Sequence, residues 1–166
     1  MTPDELLIEQ PLTIDIETPV PNEVARWSEA GLQQAKKISC FDFVPSDAKH
    51  VWRVFASLPQ GRFCEWGSGI GIATGIARML GHQAAGIEIN EELAENSRRL
   101  LQEYELDVSI HTGSYFDIHI DADYYFVYCW PGQKNQVLQH FIDTAPPAAK
   151  LLICNGAEDV RCRVRA

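Results

Sequence analysis

The fold of this chain is decided by the stretch Glu65-Trp66-Gly67-Ser68-Gly69-Ile70-Gly71. The stretch follows an apolar, strand-like run over residues 62–66 and precedes a helical pattern that ends at Gly81. Glycines in such a turn can adopt positive φ angles and let the backbone approach a ligand closely. The following helix directs its free N–H groups to the same place. The stretch therefore predicts a strand, a ligand-binding turn and a helix, although a tight turn without a ligand would need the same residues.

A second candidate ligand residue is Glu88, at the end of the next predicted strand, residues 84–88. A carboxylate at this position can accept hydrogen bonds from the ribose hydroxyls of a nucleotide-like cofactor. The alternative role for Glu88 is to cap the amphipathic helix that Asn90 begins, although Glu91 and Glu92 already suit the dipole of that helix. A dinucleotide is disfavoured, because no G-x-G-x-x-G pattern is completed and the Tyr-x-x-x-Lys pair of short-chain dehydrogenases does not occur.

Strands and helices alternate along most of the chain. Further strands are predicted at residues 108–110, 124–129, 151–154 and 158–165, and further helices at residues 22–38, 46–58 and 133–143, with Ser46 as the N-cap of the second. Strands that are apolar on both faces and alternate with helices indicate a parallel sheet covered on both sides. We therefore predict an α/β fold with a Rossmann-like, mostly parallel sheet, helices on both faces and a short C-terminus.

The N-terminal region adds an extra strand and helices to this pattern. The run Leu12-Thr13-Ile14-Asp15-Ile16-Glu17 alternates apolar and polar residues, which predicts a half-exposed strand, and the flanking prolines confine it to a sheet edge. We expect residues 1–40 to form an arm and helix packed on a ligand-binding core of residues 41–166, the two together making a single domain. Gly75 is expected to serve helix-to-sheet packing.

The composition is that of an ordinary globular protein, 46% hydrophobic, but the formal net charge is −9. Such a charge repels phosphate backbones, so no nucleic-acid partner is expected. Residues 1–30 hold seven carboxylates and one Arg, which indicates either a cationic partner or a solvated surface. Five scattered cysteines without a C-x-x-C pair indicate neither disulfides nor a metal site. No signal peptide or membrane span is recognised, and a reducing, cytoplasmic location is expected.

The acid-x-Gly-x-Gly-x-Gly pattern from Glu65 to Gly71 resembles motif I of the class I, seven-β-strand methyltransferases, whose cofactor is S-adenosylmethionine (SAM). The resemblance runs from about Phe43 to Cys154. Within the class, Phe43-Val44-Pro45-Ser46, the glycine-rich stretch and Gly86-Ile87-Glu88-Ile89-Asn90 are similar to the small protein-lysine methyltransferases, whose known members modify mitochondrial membrane carriers and ATP-synthase subunits. The resemblance implies that this chain is a SAM-dependent methyltransferase.

The same resemblance implies a cofactor site. Glu65, Gly67 and Gly69 would surround the methionine part of SAM, and Glu88 would bind its ribose. Ser114 stands where the class usually has a carboxylate for the adenine amino group, which leaves this contact to the backbone or to Tyr115. The full set of expected cofactor residues is Pro45, Ser46, Glu65, Gly67, Ser68, Gly69, Gly71, Glu88, Ile89, Ser114 and Tyr115.

The acceptor side is expected at Tyr128, Trp130 and Pro131, at the end of the fourth strand of the class. Trp130 would form an apolar wall beside the sulfonium methyl group, and aromatic faces also attract cations such as a substrate ammonium. Protein lysine is our leading hypothesis for the acceptor, and a small molecule is the next. Asp117, Tyr128 and His140 are possible catalytic bases, each more readily explained by a structural role.

The C-terminus is shorter than the class leads one to expect. Twelve residues follow Cys154, enough for one strand, whereas the class usually ends with two strands in a hairpin. The exposed sheet edge could be covered by the strand expected at residues 12–17 or by a second subunit in a homodimer. Because the missing strands could form part of an acceptor site, a non-catalytic SAM-binding or scaffold protein stays an alternative.

Overall fold

The computed structural model describes residues 1–38 and 47–166, and most of the predicted elements are present in them. The helices are α1 (Pro3–Leu6), α2 (Asn22–Lys36), α3 (Ala48–Ala56), α4 (Ile72–Met79), α5 (Glu91–Glu103) and α6 (Lys134–Thr144), with a short 3-10 helix at Pro131–Gln133 before α6. The strands are β1 (Leu7–Gln10), β2 (Arg62–Trp66), β3 (Gln83–Glu88), β4 (Ser109–Thr112), β5 (Tyr124–Tyr128), β6 (Lys150–Gly156) and β7 (Asp159–Arg165).

Within the described ranges, seven strands form one sheet in the order β1-β7-β6-β5-β2-β3-β4. Strands β2 to β6 run parallel to one another, and β7 is antiparallel to both of its neighbours. Successive residues of β2 belong to different cores: Phe63 packs with α2 to α5, and Cys64 packs with α6. Because successive side chains of a strand point to opposite faces, the helices cover both faces of the sheet. The predicted α/β, mostly parallel architecture is confirmed.

The seventh strand comes from the N-terminal segment, but from other residues than predicted. β1 pairs antiparallel with β7, with Leu7 opposite Arg165. The predicted strand at residues 12–17 is wrong, since this stretch is irregular and Ile16 is 70% exposed. Alternation reports only which side chains can share a face. A strand also needs a neighbour with free backbone groups, and β7 offers these groups to residues 7–10.

The N-cap of α3 differs from the prediction. The helix begins at Ala48, and Asp47 is its N-cap, because the Asp47 side chain accepts a hydrogen bond from the backbone N–H of His50 at 3.0 Å. Ser46 itself lies outside the described residues. Both Ser and Asp are good N-caps, so residue type alone could not distinguish two neighbours.

Gly75 serves helix-to-helix packing, in contrast to the helix-to-sheet packing expected for it. A Cβ on Gly75 would lie 2.4 Å from the ring of Trp27 in α2. The Trp27 indole is fully buried, and its Nε1–H donates a hydrogen bond to the carbonyl oxygen of Ile72 at 2.9 Å. The missing side chain of Gly75 therefore lets α2 lie directly against α4.

The acidic N-terminal segment finds cations within the same chain. Oδ1 of Asp4 lies 2.8 Å from Nη2 of Arg163 and 3.2 Å from Nζ of Lys134. Oε1 of Glu9 lies 3.8 Å from Nη1 of Arg161. Because Arg161 and Arg163 belong to β7, opposite charges favour the pairing of the chain's first and last strands.

None of the helices in the described ranges has the length and apolar character needed to cross a bilayer.

Candidate functional site

The glycine-rich turn connects β2 to α4 through three residues in the left-handed region, with φ values of 77° at Gly67, 57° at Gly69 and 88° at Gly71. A Cβ on Gly67 would meet no atom within 4 Å, so this glycine borders open space. A Cβ on Gly71 would instead lie 3.4 Å from Cβ of Ser97 in α5. The first glycine thus leaves room beside the turn, and the last one packs against a helix.

A cleft of about 730 Å³ opens beside this turn, at the carboxyl ends of β2, β3 and β5. Its volume lies in the range of small-molecule and cofactor sites. Ligands of open α/β sheets bind at this edge, where the strand order reverses. The expected site residues that line the cleft are Glu65, Gly67, Ser68, Gly69, Glu88, Ile89, Ser114, Tyr115, Tyr128 and Trp130.

Two of the expected site residues do not line this cleft, and two more lie outside the described residues. Gly71 packs towards α5, and Pro131 is an exposed residue that begins the 3-10 helix. Pro45 and Ser46 lie outside the described residues. The lining also includes residues that the sequence reasoning did not single out as ligand contacts, among them Trp66, Phe116 and Gln133.

Glu88 bridges the glycine-rich turn and the start of α5. Its Oε1 accepts a hydrogen bond from the backbone N–H of Gly69 at 2.8 Å, and its Oε2 accepts one from the backbone N–H of Asn90 at 2.7 Å. The Asn90 side chain caps α5 by accepting from the N–H of Leu93 at 3.0 Å. Each carboxylate oxygen of Glu88 keeps a further lone pair, so Glu88 can hold the turn and still accept a ligand hydroxyl.

Glu65 is the second carboxylate of the cleft and is held by α4. Its Oε1 accepts hydrogen bonds from both donors of Thr74, the backbone N–H at 3.1 Å and the hydroxyl at 2.6 Å. Burial raises the pKa of Glu65 to about 8, although the Thr74 hydrogen bonds act in the opposite direction, and the charge of Glu88 adds a smaller upward effect. Glu65 is therefore mostly protonated at neutral pH, with Oε2 available to carry the proton.

The end of the cleft near β4 is formed by a turn and an aromatic stack. Oγ of Ser114 accepts a hydrogen bond from the backbone N–H of Phe116 at 3.2 Å, so this hydroxyl stabilises the turn. The ring of Tyr115 stacks on Trp66 at a centroid distance of 5.2 Å and an angle of 4°. Nε2 of His140 is 2.9 Å from the carbonyl oxygen of Tyr115, and burial lowers the pKa of this imidazole. The contact explains His140 as a support of the turn.

The opposite end of the cleft is formed by the residues after β5. Tyr128 and Trp130 make an edge-to-face contact, with ring centroids 5.1 Å apart at an angle of 74°. Trp130 lines the cleft while staying 40% exposed, so one side of its ring is free to meet a ligand. The backbone N–H of Gln133 donates to the carbonyl oxygen of Trp130 at 2.9 Å, which closes the 3-10 turn. Asp117 is exposed and does not line this cleft.

The charge of the cleft is one-sided. Among the described residues that line it, Glu65 and Glu88 are the ones with carboxyl groups, and none is Lys, Arg or His. Such a lining favours a ligand that carries positive charge and offers no counter-ion to a diphosphate. SAM has a sulfonium and an ammonium group as well as ribose hydroxyls. The lack of basic side chains in the described lining therefore fits this cofactor better than a nicotinamide dinucleotide, whose diphosphate would have no cation beside it.

Comparisons with known proteins show which solved structures have a similar fold. No protein-family model matches the sequence, and no curated protein matches it. Among solved structures, a methyltransferase from Geobacter sulfurreducens is similar over 90% of this chain and 93% of its own, with a TM-score of 0.67 and 17% identity. The S-adenosylhomocysteine (SAH)-bound methyltransferase PaMTH1 of Podospora anserina is similar over 84% of this chain and 64% of its own, with a TM-score of 0.64 and 14% identity.

An RNA methyltransferase from Salinibacter ruber, in complex with SAH, is similar over 89% of this chain and 93% of its own, with a TM-score of 0.57 and 17% identity. At such identities the likeness is one of fold. The chain has the fold of the class I SAM-dependent methyltransferases. Its seventh strand, β1, is supplied by the N-terminal segment.

Proposed function

We propose that this chain binds SAM and transfers its methyl group to an acceptor. The observation that carries the proposal is the cleft beside the glycine-rich turn, whose described lining has the carboxyl groups of Glu65 and Glu88 but no basic side chain, and whose Gly67 borders open space. The fold supports the proposal, because in open α/β sheets ligands bind at the strand ends where this cleft lies. The sheet edge is paired with β1, so an incomplete sheet no longer argues for a non-catalytic scaffold.

Different residues of the cleft would contact different parts of the cofactor. Gly67, Ser68 and Gly69 line the cleft and would contact the methionine part, with Oε2 of Glu65 on the same side. Glu88 would accept the ribose hydroxyls with its remaining lone pairs. Ile89 and the turn from Ser114 to Phe116 also line the cleft and would contact the base. Bound SAM supplies an electrophilic methyl group on a positively charged sulfur.

The chain's own contribution to the transfer would be alignment and exclusion of water. An in-line displacement needs the acceptor held opposite the departing sulfur, and such positioning accounts for a large part of the rate enhancement of many enzymes. Tyr128 and Trp130 stand beside the cleft at the end of β5, the strand next to β2. Their rings can shield the reacting centre and hold the acceptor group.

For the acceptor we propose an amine, with the side chain of a protein lysine as the leading candidate. An acidic cleft with aromatic rings attracts an ammonium group, and burial beside such rings favours its neutral, nucleophilic form. A neighbour of similar fold is named an RNA methyltransferase. In this chain, however, the net charge of −9 and the lack of described cations in the cleft disfavour a phosphate-bearing acceptor.

Two measurements, made one after the other, test the proposal. A ligand that binds the native state raises the melting temperature, so SAM and SAH should both raise the Tm, and NAD⁺ should leave it unchanged. Incubation with methyl-labelled SAM and cell extract, followed by separation into protein, RNA and small-molecule fractions, should then place the label in protein. A flat Tm at saturating SAM contradicts the cofactor assignment. Label in the RNA fraction contradicts the protein-lysine acceptor, and label in a small molecule replaces lysine by a free amine or another small acceptor.

A further inference from the structure

We propose that Asp4 is a positioning residue for the acceptor side of the cleft and that it acts through Lys134. The inference rests on the proposed function, because it assigns a role to the wall formed by Trp130 and Gln133. It makes the N-terminal segment, residues 1–10, part of the site as well as part of the sheet edge.

The carboxylate of Asp4 is held in place by β7. Nη2 of Arg163 donates to Oδ1 of Asp4 at 2.8 Å, to the carbonyl oxygen of Asp4 at 3.0 Å and to that of Leu7 at 2.6 Å. The Arg163 side chain is only 15% exposed. These hydrogen bonds, with Lys134 second to Arg163, lower the pKa of Asp4. Asp4 is therefore an ionised group with a fixed position near neutral pH.

The second partner of Asp4 stands directly behind the cleft wall. Lys134 is the first residue of α6 and follows Gln133, which lines the cleft. The backbone N–H of Gln133 donates to the carbonyl oxygen of Trp130, so the short helix moves as one piece with Trp130. A shift of the Lys134 end of this turn is thus transmitted to the exposed indole.

The charge of Lys134 gives this contact a physical purpose. A cation in the first turn of a helix is unfavourable, because the N–H ends of the peptide dipoles are positive there, whereas an anion is favourable. Asp4 supplies that anion 3.2 Å from Nζ. The start of α6 is therefore stabilised by a carboxylate that lies 130 residues away in the chain (134 − 4).

The expected effect is small, because the side chains of Lys134 and Asp4 are 46% and 49% exposed. Exposed ion pairs contribute little, so we expect changes of about two- to fivefold. Glu9 provides a matched control. It is a carboxylate of the same N-terminal segment, is 54% exposed, and pairs with Arg161 of β7 instead of Lys134.

The test is hydrogen–deuterium exchange of the full-length protein bound to SAH. In Asp4→Ala, the backbone amides of residues 132–134 should exchange about two- to fivefold faster than in wild type, because the Lys134 cation is then left without its partner in the first turn of α6. Lys134→Met removes this cation together with the contact, so the same amides should exchange more slowly than in Asp4→Ala. Asp4→Glu should restore most of the protection, and Glu9→Ala should leave these amides unchanged. The double variant should exchange no faster than the faster single one, because both remove the same contact. Lys134→Met keeps the Asp4–Arg163 hydrogen bonds, so this variant distinguishes an effect on the cleft wall from an effect on the sheet edge.

A functional readout accompanies the exchange measurement. In the labelled-SAM assay on cell extract, Asp4→Ala should lower the transfer rate about two- to fivefold and leave the KM for SAM unchanged. Equal acceleration of exchange in Asp4→Ala and Glu9→Ala, or exchange in Lys134→Met as fast as in Asp4→Ala, overturns the inference. Failure of wild-type protein to bind SAH would instead contradict the proposed function, and exchange of the ligand-free protein would still decide whether Asp4 positions the wall.

Discussion

The two halves of the sheet are built in different ways. In the half made of β2, β3 and β4, each strand lies beside the next one in the chain, and the glycine-rich turn connects neighbouring elements. In the other half, β7 is enclosed between β6 and β1, which come from opposite ends of the chain. The cofactor side of the cleft therefore depends on local turns, whereas the far edge depends on long-range pairing. The predictions below test whether the two halves respond independently.

The largest effect should come from the pH dependence of Glu65 in the cofactor half. Its pKa is raised by burial to about 8 in the folded protein, against an ordinary value of 4.5. Between these two values the folded state holds a proton that the unfolded state has lost. The contribution of Glu65 to the free energy of unfolding is therefore fully present below about pH 4.5 and is lost as the pH rises to about 8. One such group gives a slope of up to about 1.4 kcal/mol per pH unit.

The comparison that isolates this effect is wild type against Glu65→Gln, whose amide is uncharged and can accept the same Thr74 hydrogen bonds. Urea unfolding of the ligand-free proteins between pH 5 and 8 should show a difference in stability that grows with pH. Parallel stability curves for the two proteins would mean that Glu65 is ionised in the native state across this range.

In the other half, Leu7→Ala tests how much β1 contributes to the sheet edge. Leu7 is 2% exposed and packs with the α6 core, so removal of its side chain should cost about 2–5 kcal/mol of unfolding free energy. Ile8 is 53% exposed on the opposite face of the same strand, and Ile8→Ala should stay within about 0.5 kcal/mol of wild type. SAH affinity should be unchanged in both variants. A large loss of affinity in Leu7→Ala would show that the halves are coupled.

Glu88→Ala should weaken SAH binding, whereas Leu7→Ala should leave it unchanged. Loss of hydrogen bonds to a charged group should weaken SAH binding by about 1.5–3 kcal/mol, or about ten- to hundredfold in Kd. Glu91→Ala removes an exposed carboxylate from the first turn of α5 and should bind SAH like wild type. Titration calorimetry measures both affinities. If Glu88→Ala bound SAH as tightly as wild type, the role of Glu88 would be limited to its hydrogen bonds with the backbone of Gly69 and Asn90.

Trp130→Ala tests the boundary between the two halves and has the smallest expected effect. SAH affinity should stay within about threefold, while methyl transfer falls about tenfold, near 1.4 kcal/mol of barrier. Trp130→Phe keeps an aromatic ring against Tyr128 and should recover part of the rate. Equal losses of binding and turnover would place Trp130 in the cofactor pocket. Unchanged turnover would make it a surface residue.

Much of the first half could be predicted from sequence because its signals are local. The turn at Gly67 to Gly71 needs residues that tolerate positive φ, and glycine is the residue that does so at little cost. The residue type of Asn90 and its place before an amphipathic run predict an N-cap, and its side chain does cap α5. The strand ends that carry Glu65 and Glu88 follow from the same local pattern.

The second half could not be predicted to the same extent because its partners are distant in the chain. Residues 12–17 alternate and residues 7–10 do not, yet only residues 7–10 are in register with β7. The positions of Asp4 and Lys134 relative to Gln133 likewise depend on how α1 lies on α6. The seven carboxylates of residues 1–30 indicate either a cationic partner or a solvated surface, and the structure pairs two of them, Asp4 and Glu9, with arginines of β7.

The sequence by itself determined the parallel core, the glycine-rich turn and the two carboxylates at its strand ends, because each depends on residue type and near neighbours. Tertiary structure alone decided that β1 completes the sheet, that Glu65 is buried enough to hold a proton, and that Trp130 stands open to the cleft. These features arise from packing and desolvation, which depend on what surrounds a residue in space and leave no pattern in the residues beside it in the chain.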